Sequence, residues 1–505
     1  MKTPKDTVYL STFVQIMIMC HSYCSDKYQY TMGKTFRDTG LDKVPAIFNM
    51  FYRKAPDNNN WAVVSGINEV LEMVRGFGSK PVSFFKKFLP EPQYAPFCDF
   101  LATMRFTGDI YAMDEGQIAF PGQPVITVRA PLLEAQVLET PLLCIMNHQM
   151  AVATKASRVT RSTSKPVSEF GSRRAHGPWA AQHGAKAAYI GGCLNTSNIL
   201  ATTEFGIPSS GTMAHSFVTA FGCSVKSERE AFNAYIASHL GEGLILLIDT
   251  YDTLKSGILN AIESFKENGI NNDYKPFYGI RLDSGDLAYL SRKCREMLDK
   301  AGLSECRIFA TNALDEYLIA DLERQNAAID FYGVGDAIAT SRDNPCFGNV
   351  YKMVQIGDTP VLKRSEDKAK VINPGFQVTY RVFVDDENKA DVTCLRGDRM
   401  TDDIEAGRTI VLQDENDRTR TTTYREGTYT CEILQKKYME NGVRIIADNT
   451  AQEKRDCYLR ALSKMNPTER RIINPHYHKV DISDGLYDLK MKLIYKIKEE
   501  LDYVR

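Results

Sequence analysis

A rhythm between residues 244 and 334 narrows the fold more than any other feature of the chain. Short apolar runs at 244–248, 277–282, 307–310 and 328–334 alternate with amphipathic stretches at 254–268, 287–301 and 314–325. Strand and helix units of roughly 30 residues in strict alternation are the signature of a parallel β/α architecture, and they most resemble consecutive units of a barrel. A further apolar run, 187–191, is expected to supply an earlier strand of the same sheet. The expected class is therefore α/β, with an incomplete β/α barrel at its core.

Every run ends in polar or glycine residues. Ile248 is followed by Asp249, Thr250, Tyr251 and Asp252, and Leu282 by Asp283, Ser284, Gly285 and Asp286. Thr311, Asn312 and Asp315 follow Ala310, and Gly333, Gly335 and Asp336 follow Tyr332. One such cluster is what an ordinary helix N-cap looks like. Sites in parallel β/α folds lie at the carboxyl ends of the strands, so four clusters are expected to converge on one rim. Asp286, next to the helix that begins at Leu287, is expected to cap that helix.

Length and composition set the surroundings. A chain of 505 residues exceeds one hydrophobic core, and 43% hydrophobic with 25% charged residues is globular. The expected division is an α+β domain at 1–150, the barrel at 151–355, and a region at 356–505 packing on both. Residues 108–128 read as β-rich, 132–158 as helical and 486–501 as a final helix. A net charge of −1 argues against a general nucleic-acid binder. Twelve cysteines are scattered without paired Cys-x-x-Cys spacing, which suits free thiols in a reducing cytosol. Cys457, His476 and His478 match no usual zinc spacing. The apolar residues at 8–20 are interrupted by Ser11, Thr12 and Gln15, and no small-residue cleavage site precedes Asp26. That pattern reads against a signal peptide, and no run reaches a membrane span of roughly 18 apolar residues, so a soluble cytoplasmic protein is expected.

Candidate chemistry lies in three further places. From 158 to 186, Arg158, Arg161, Lys165, Arg173, Arg174, His176, His183 and Lys186 face the single acid Glu169. The lysines read as a solvated face. Arg173 and Arg174, beside Phe170 and Gly171, read as a guanidinium clamp for a carboxylate or phosphate. His215 sits among small residues in Ser209-Ser210-Gly211-Thr212-Met213-Ala214-His215, where a lone histidine would ordinarily be structural. Asp249, Asp252, Asp283 and Asp286 are open to two readings, glycosidase-like acid/base pairs or ligands for magnesium and ribose hydroxyls. Gly333 and Gly335 offer exposed N–H groups for a phosphate.

These segments, in this order, resemble the nicotinate phosphoribosyltransferase family of type II phosphoribosyltransferases. The resemblance is carried by Phe170-Gly171-Ser172-Arg173-Arg174, Gly211-Thr212-Met213-Ala214-His215-Ser216, Asp249-Thr250-Tyr251-Asp252-Thr253, Arg281-Leu282-Asp283-Ser284-Gly285-Asp286 and Gly333-Val334-Gly335. Asp26-Lys27-Tyr28-Gln29-Tyr30-Thr31-Met32 and Asn474-Pro475-His476 extend it to both ends. It implies a cytosolic homodimer with shared active sites that condenses nicotinic acid with phosphoribosyl pyrophosphate, giving nicotinate mononucleotide and pyrophosphate in NAD salvage. It also implies magnesium as cofactor and ATP hydrolysis coupled through a phosphohistidine, here His215.

By the same resemblance Phe170 would stack on the pyridine ring, with Tyr28 of a second subunit on its other face. Arg173, Arg174 and Arg281 would meet the nicotinate carboxylate or the phosphates. Asp249 and Asp283 would serve magnesium, these two with Asn312 the ribose, and Gly333 and Gly335 the 5′-phosphate. Ser197 stands where nicotinamide-using relatives carry an aspartate, which would repel a carboxylate, so nicotinic acid is the expected substrate. Ala313 follows Asn312 where a polar residue is common. A sugar-phosphate aldolase would need a strand-end lysine, which is absent here, and a glycosidase would leave His215 and the arginines idle. The alternatives are a nicotinamide-using enzyme and a non-catalytic binding or signalling protein on the same fold.

Overall fold

The computed structural model describes residues 22–57, 59–364, 371–415 and 417–503. The apolar run at 8–20 lies outside them. The chain forms two compact units, one of residues 1–151, 346–449 and 456–505 and one of 152–345 and 450–455.

In the first unit, Pro45–Tyr52 pairs antiparallel with Ile126–Pro131 on one side and Asn349–Ile356 on the other. Gln435–Glu440 joins the same sheet against Asp109–Met113, so strands distant in sequence share one seven-stranded layer. A four-stranded sheet is centred on the hairpin of Gln377–Val384 and Glu387–Leu395. Its inner face buries Val378, Tyr380, Val382 and Val392, packed with Leu412 of the neighbouring two-stranded sheet. Among the described residues no helix is long and apolar enough to cross a membrane. The eleven described cysteines are free thiols.

The second unit is built on one parallel sheet. Helix α1 (Glu139–Arg161) leads into it, followed by β1 (Val167–Glu169), α2 (Pro178–Ile190), β2 (Asn195–Thr196), α3 (Ile199–Phe205), α4 (His215–Ala220) and α5 (Val225–Ser238). Then come β3 (Leu244–Leu247), α6 (Ile258–Glu267), β4 (Tyr278–Leu282), α7 (Leu287–Lys300), β5 (Arg307–Ala310), α8 (Glu316–Arg324), β6 (Phe331–Val334) and α9 (Asp336–Ala339). The strand order is β2-β1-β6-β5-β4-β3, and each neighbouring pair is parallel. This is the cyclic order of a β/α barrel opened between β2 and β3, as the alternation of strand and helix predicts.

Strands β3, β4 and β6 are buried along nearly their whole length, which is why they read as continuous apolar runs and not as alternating ones, while β5 buries Ile308 and Ala310 and leaves Arg307 exposed. Beside β2, Thr196 exchanges backbone hydrogen bonds with Pro208 and Ser210, so the segment after α3 lines one lip of the opening.

The strand expected at 187–191 is the last turns of helix α2. Residues Gln182 to Ile190 are all buried, so the helix shows no one-sided periodicity, and its alanines favour a helix. The strands that precede β3 in this sheet are instead β1 and β2, with three and two residues.

Candidate active site at the carboxyl rim of the parallel sheet

The strand-end carboxylates separate into two kinds. Asp252, Asp286 and Asp315 cap helical turns: their Oδ1 atoms accept from Leu254 and Lys255, from Tyr289, and from Tyr317 and Leu318, at 2.8–3.0 Å. Asp249 and Asp283 are not caps. The Asp249 side chain is 2% exposed, with Oδ1 3.1 Å from His215 Nε2 and Oδ2 accepting from the Ser284 hydroxyl at 2.6 Å. Asp283 accepts from the Thr311 hydroxyl. Of the two acid/base pairs that sequence left open, one carboxylate of each is thus spent on a helix start.

Arg281 projects from β4 and binds the segment before α4. Its Nη1 donates to Thr212 Oγ1 at 2.8 Å and its Nη2 to the Met213 carbonyl at 2.9 Å, while the buried Nε has no partner. Burial pushes its pKa down, Asp283 and Asp249 act in the opposite sense, and Arg173 pushes it down further. The guanidinium stays charged at neutral pH. A half-buried, incompletely paired cation next to a second arginine suits an anionic ligand. Arg173 and Arg174 themselves lie exposed on the turn Ser172–Arg174.

Phe170 follows β1 and its N–H donates to the Val334 carbonyl at 2.8 Å. Its ring covers Gly333: a Cβ there would lie 2.6 and 2.7 Å from two ring carbons and 2.7 Å from Thr311 Cγ2. Only glycine at 333 lets the aromatic ring settle on the strand end. Behind it, buried Glu169 accepts from the Gly171 N–H and, at 2.6 Å, from the Thr196 hydroxyl, tying β1 to β2. Burial raises the Glu169 pKa and these two donors oppose the rise.

Ser197 is exposed after β2, with its N–H donating to the Glu169 carbonyl at 3.0 Å. Asn312 is exposed after β5, and Gly335 begins the turn after β6. Ten of the twelve site residues taken from the sequence therefore sit on strand ends or adjoining turns of this one unit, and His215 opens helix α4 of the same unit. Tyr28 does not: it belongs to the first unit, 48% exposed, with its hydroxyl 3.5 Å from Glu139 Oε2.

The basic stretch differs from expectation. Lys186, expected on a solvated face, is 2% exposed, and Arg158 in the same stretch is 0% exposed. Charge type alone cannot show that each lies on the buried side of its helix. Sequence reasoning also missed Glu316, fully buried at the first position of α8, because an acid in a first helical turn is already explained by the helix dipole.

Among the described residues no three or more His, Cys, Asp or Glu side chains are gathered for a metal. Asp283, with one oxygen engaged by Thr311, and Asp249 fit a hard divalent cation that takes one or two carboxylates and completes its shell from substrate phosphates. The rim thus combines an aromatic platform, a half-buried guanidinium, two carboxylates and a histidine held by one of them.

Comparison with known proteins covers nearly the whole chain. The family model for the nicotinate phosphoribosyltransferase N-terminal domain matches residues 24–147, that for the nicotinate phosphoribosyltransferase family 166–317, and that for the C-terminal domain 376–490. Nicotinate phosphoribosyltransferase of Bacillus subtilis is 36% identical, with 95% of this chain and 96% of that protein covered. Nicotinate phosphoribosyltransferase 2 of Arabidopsis thaliana is 30% identical, with 92% of each covered. The crystal structure of human nicotinic acid phosphoribosyltransferase matches with a TM-score of 0.79 at 26% identity, over 93% of this chain and 99% of that one.

Proposed function

The chain belongs to the nicotinate phosphoribosyltransferase family, and from that premise we propose that it joins nicotinic acid to phosphoribosyl pyrophosphate, with ATP hydrolysis coupled through His215. The observation that carries the reading is the placement of Phe170 over Gly333 on the rim that also holds Arg281, Asp249 and Asp283.

In the forward step the pyridine nitrogen attacks C1 of the ribose and pyrophosphate departs with the bonding pair. Positive charge grows on the ribose ring as the bond breaks. Asp249 and Asp283 would stabilise that charge, and a fixed aromatic platform would hold the nitrogen in line, since positioning supplies much of such a barrier. Arg281 and Arg173 would hold anionic groups, the carboxylate or the phosphates, with Arg174 beside them. Gly333 and Gly335 would take the 5′-phosphate and Asn312 a ribose hydroxyl. Magnesium, held by Asp283 and Asp249, would neutralise charge on the departing pyrophosphate. No covalent bond to the protein is needed in this step.

The ATP step uses different atoms. Asp249 accepts from Nε2–H of His215, which fixes the tautomer and leaves the Nδ1 lone pair as nucleophile. Nδ1 would attack the γ-phosphorus, ADP would leave, and hydrolysis of the phosphohistidine would complete the cycle.

Ser197 supports the acid over the amide, because a hydroxyl donates to a carboxylate where an aspartate would repel it. Tyr28, exposed in the first unit, is the residue that a second copy would present to the pyridine ring in a homodimer. NAD salvage in the cytoplasm is the setting that this reaction implies. Purified protein given nicotinic acid, phosphoribosyl pyrophosphate and magnesium should form nicotinate mononucleotide, faster with ATP. Absence of that product with both substrates saturating would overturn the reading.

A further inference from the structure

Ten described non-glycine residues adopt left-handed backbone, and four of them flank the rim: Asn312 (φ 89°) and Ala313 (φ 49°) after β5, Ser341 (φ 46°) and Asp343 (φ 83°) after α9. Such conformations are costly for residues with a Cβ, least so for Asn and Asp, and they persist where the surroundings over-determine them. What holds these two turns is a set of charges outside the reaction described above.

Lys155 and Arg158 occupy adjacent turns of α1 and are both fully buried. Lys155 Nζ and Arg158 Nε each donate to Glu316 Oε1 at 2.9 Å, four and three residues beyond Asn312 and Ala313. Lys155 Nζ also donates to Asp343 Oδ2 at 2.9 Å, and Arg158 Nη2 to the Tyr317 hydroxyl at 3.1 Å. Arg342 closes the circuit, with Nη2 2.6 Å from Asp315 Oδ2 and Nη1 3.3 Å from Asp336 Oδ2. Both left-handed turns are thus pinned to one fixed post on α1.

Stability alone is a poor reason for this arrangement. Taking Glu316 out of water is expensive, its Oε2 has no partner, and well-packed apolar residues often serve as well as a buried ion pair. A charge fixed at one point does set backbone geometry. Resting on the function proposed above, we propose that Glu316, locked by Lys155 and Arg158, is a positioning residue that holds the Asn312–Ala313 turn in register for phosphoribosyl pyrophosphate.

The test measures both KM values and the thermal midpoint of the full-length enzyme and three variants. Glu316→Gln keeps the volume and removes the charge, Ala313→Gly releases the turn without burying anything, and Leu298→Ala opens a cavity in α7 away from the rim. Glu316→Gln should raise the KM for phosphoribosyl pyrophosphate about tenfold and leave that for nicotinic acid within about twofold, since misplacing a substrate-holding turn penalises the substrate it holds. Ala313→Gly should move the same KM in the same direction with an unchanged or higher thermal midpoint, and Leu298→Ala should lower the midpoint with neither KM changed. Should Glu316→Gln fail to fold, Ala313→Gly decides alone. Wild-type KM values in folded Glu316→Gln and Ala313→Gly, or two KM values that rise together in them, would overturn the inference while leaving the function intact. A wild-type protein that makes no nicotinate mononucleotide would bring down both.

Discussion

Gly333→Ala tests the aromatic platform with a single methyl group. The new Cβ would stand 2.6 Å from the Phe170 ring, where ordinary contact begins at 3.4 Å. Gly333 has no left-handed φ, so alanine can take its backbone and the strain falls on the ring. Relief requires Phe170 to move by about 0.8 Å, and a misplacement of about 1 Å can cost on the order of 100-fold in rate. At about 1.36 kcal/mol per tenfold, the loss of transition-state stabilisation is about 2.7 kcal/mol. Thr311 Cγ2, also 2.7 Å from the new atom, leaves less room for the methyl group to shift. The assay is kcat/KM for nicotinic acid at saturating phosphoribosyl pyrophosphate, with the thermal midpoint recorded beside it, because overpacking alone costs about 1–3 kcal/mol of stability. A folded variant with wild-type kcat/KM would refute the claim that the ring on Gly333 positions the substrate.

Two further outcomes follow from other residues. His215→Ala should abolish both the ATP stimulation and the acid-labile phosphoprotein while sparing some ATP-independent synthesis, and phosphate still appearing on the variant would exclude His215 as acceptor. In the first unit, His478 Nδ1 lies 3.1 Å from Glu469 and Nε2 3.6 Å from Asp391, and the ring stacks on Phe120 at 4.1 Å. Burial lowers its pKa, yet the two carboxylates outweigh burial and hold it above 6.5. A histidine raised in this way contributes stability that is complete below about pH 6.5 and is lost as pH rises through the folded pKa. The thermal midpoint should therefore fall from pH 6.5 upward in the wild type and lose that slope in His478→Gln, and equal slopes would refute the assignment.

The parallel sheet was legible where its strands are long. Residues 244–247, 278–282 and 331–334 are largely apolar because they are buried on both faces, 307–310 is so at Ile308 and Ala310, and the polar residues after each run mark the rim. Strands β1 and β2 are too short to show any period, and an alanine-rich buried helix imitated a strand at 187–191. At the rim, residue type located Asp249, Asp283, Arg281 and Phe170, and the neighbour at Leu287 identified Asp286 as a cap. What residue type could not show is partnership. That Asp249 holds His215, that Arg281 grips Thr212 and Met213, and that Glu316 is locked between two buried cations depend on contacts 34 to 161 positions apart in the chain.

The most direct measurement is the ratio of kcat/KM for nicotinic acid to that for nicotinamide, with phosphoribosyl pyrophosphate and magnesium saturating and ATP present. A hydroxyl at 197 and a guanidinium at 281 should favour the acid by about 100-fold or more, because a site built for a carboxylate leaves its donors unpaired against an amide. Equal or better use of nicotinamide would contradict the account.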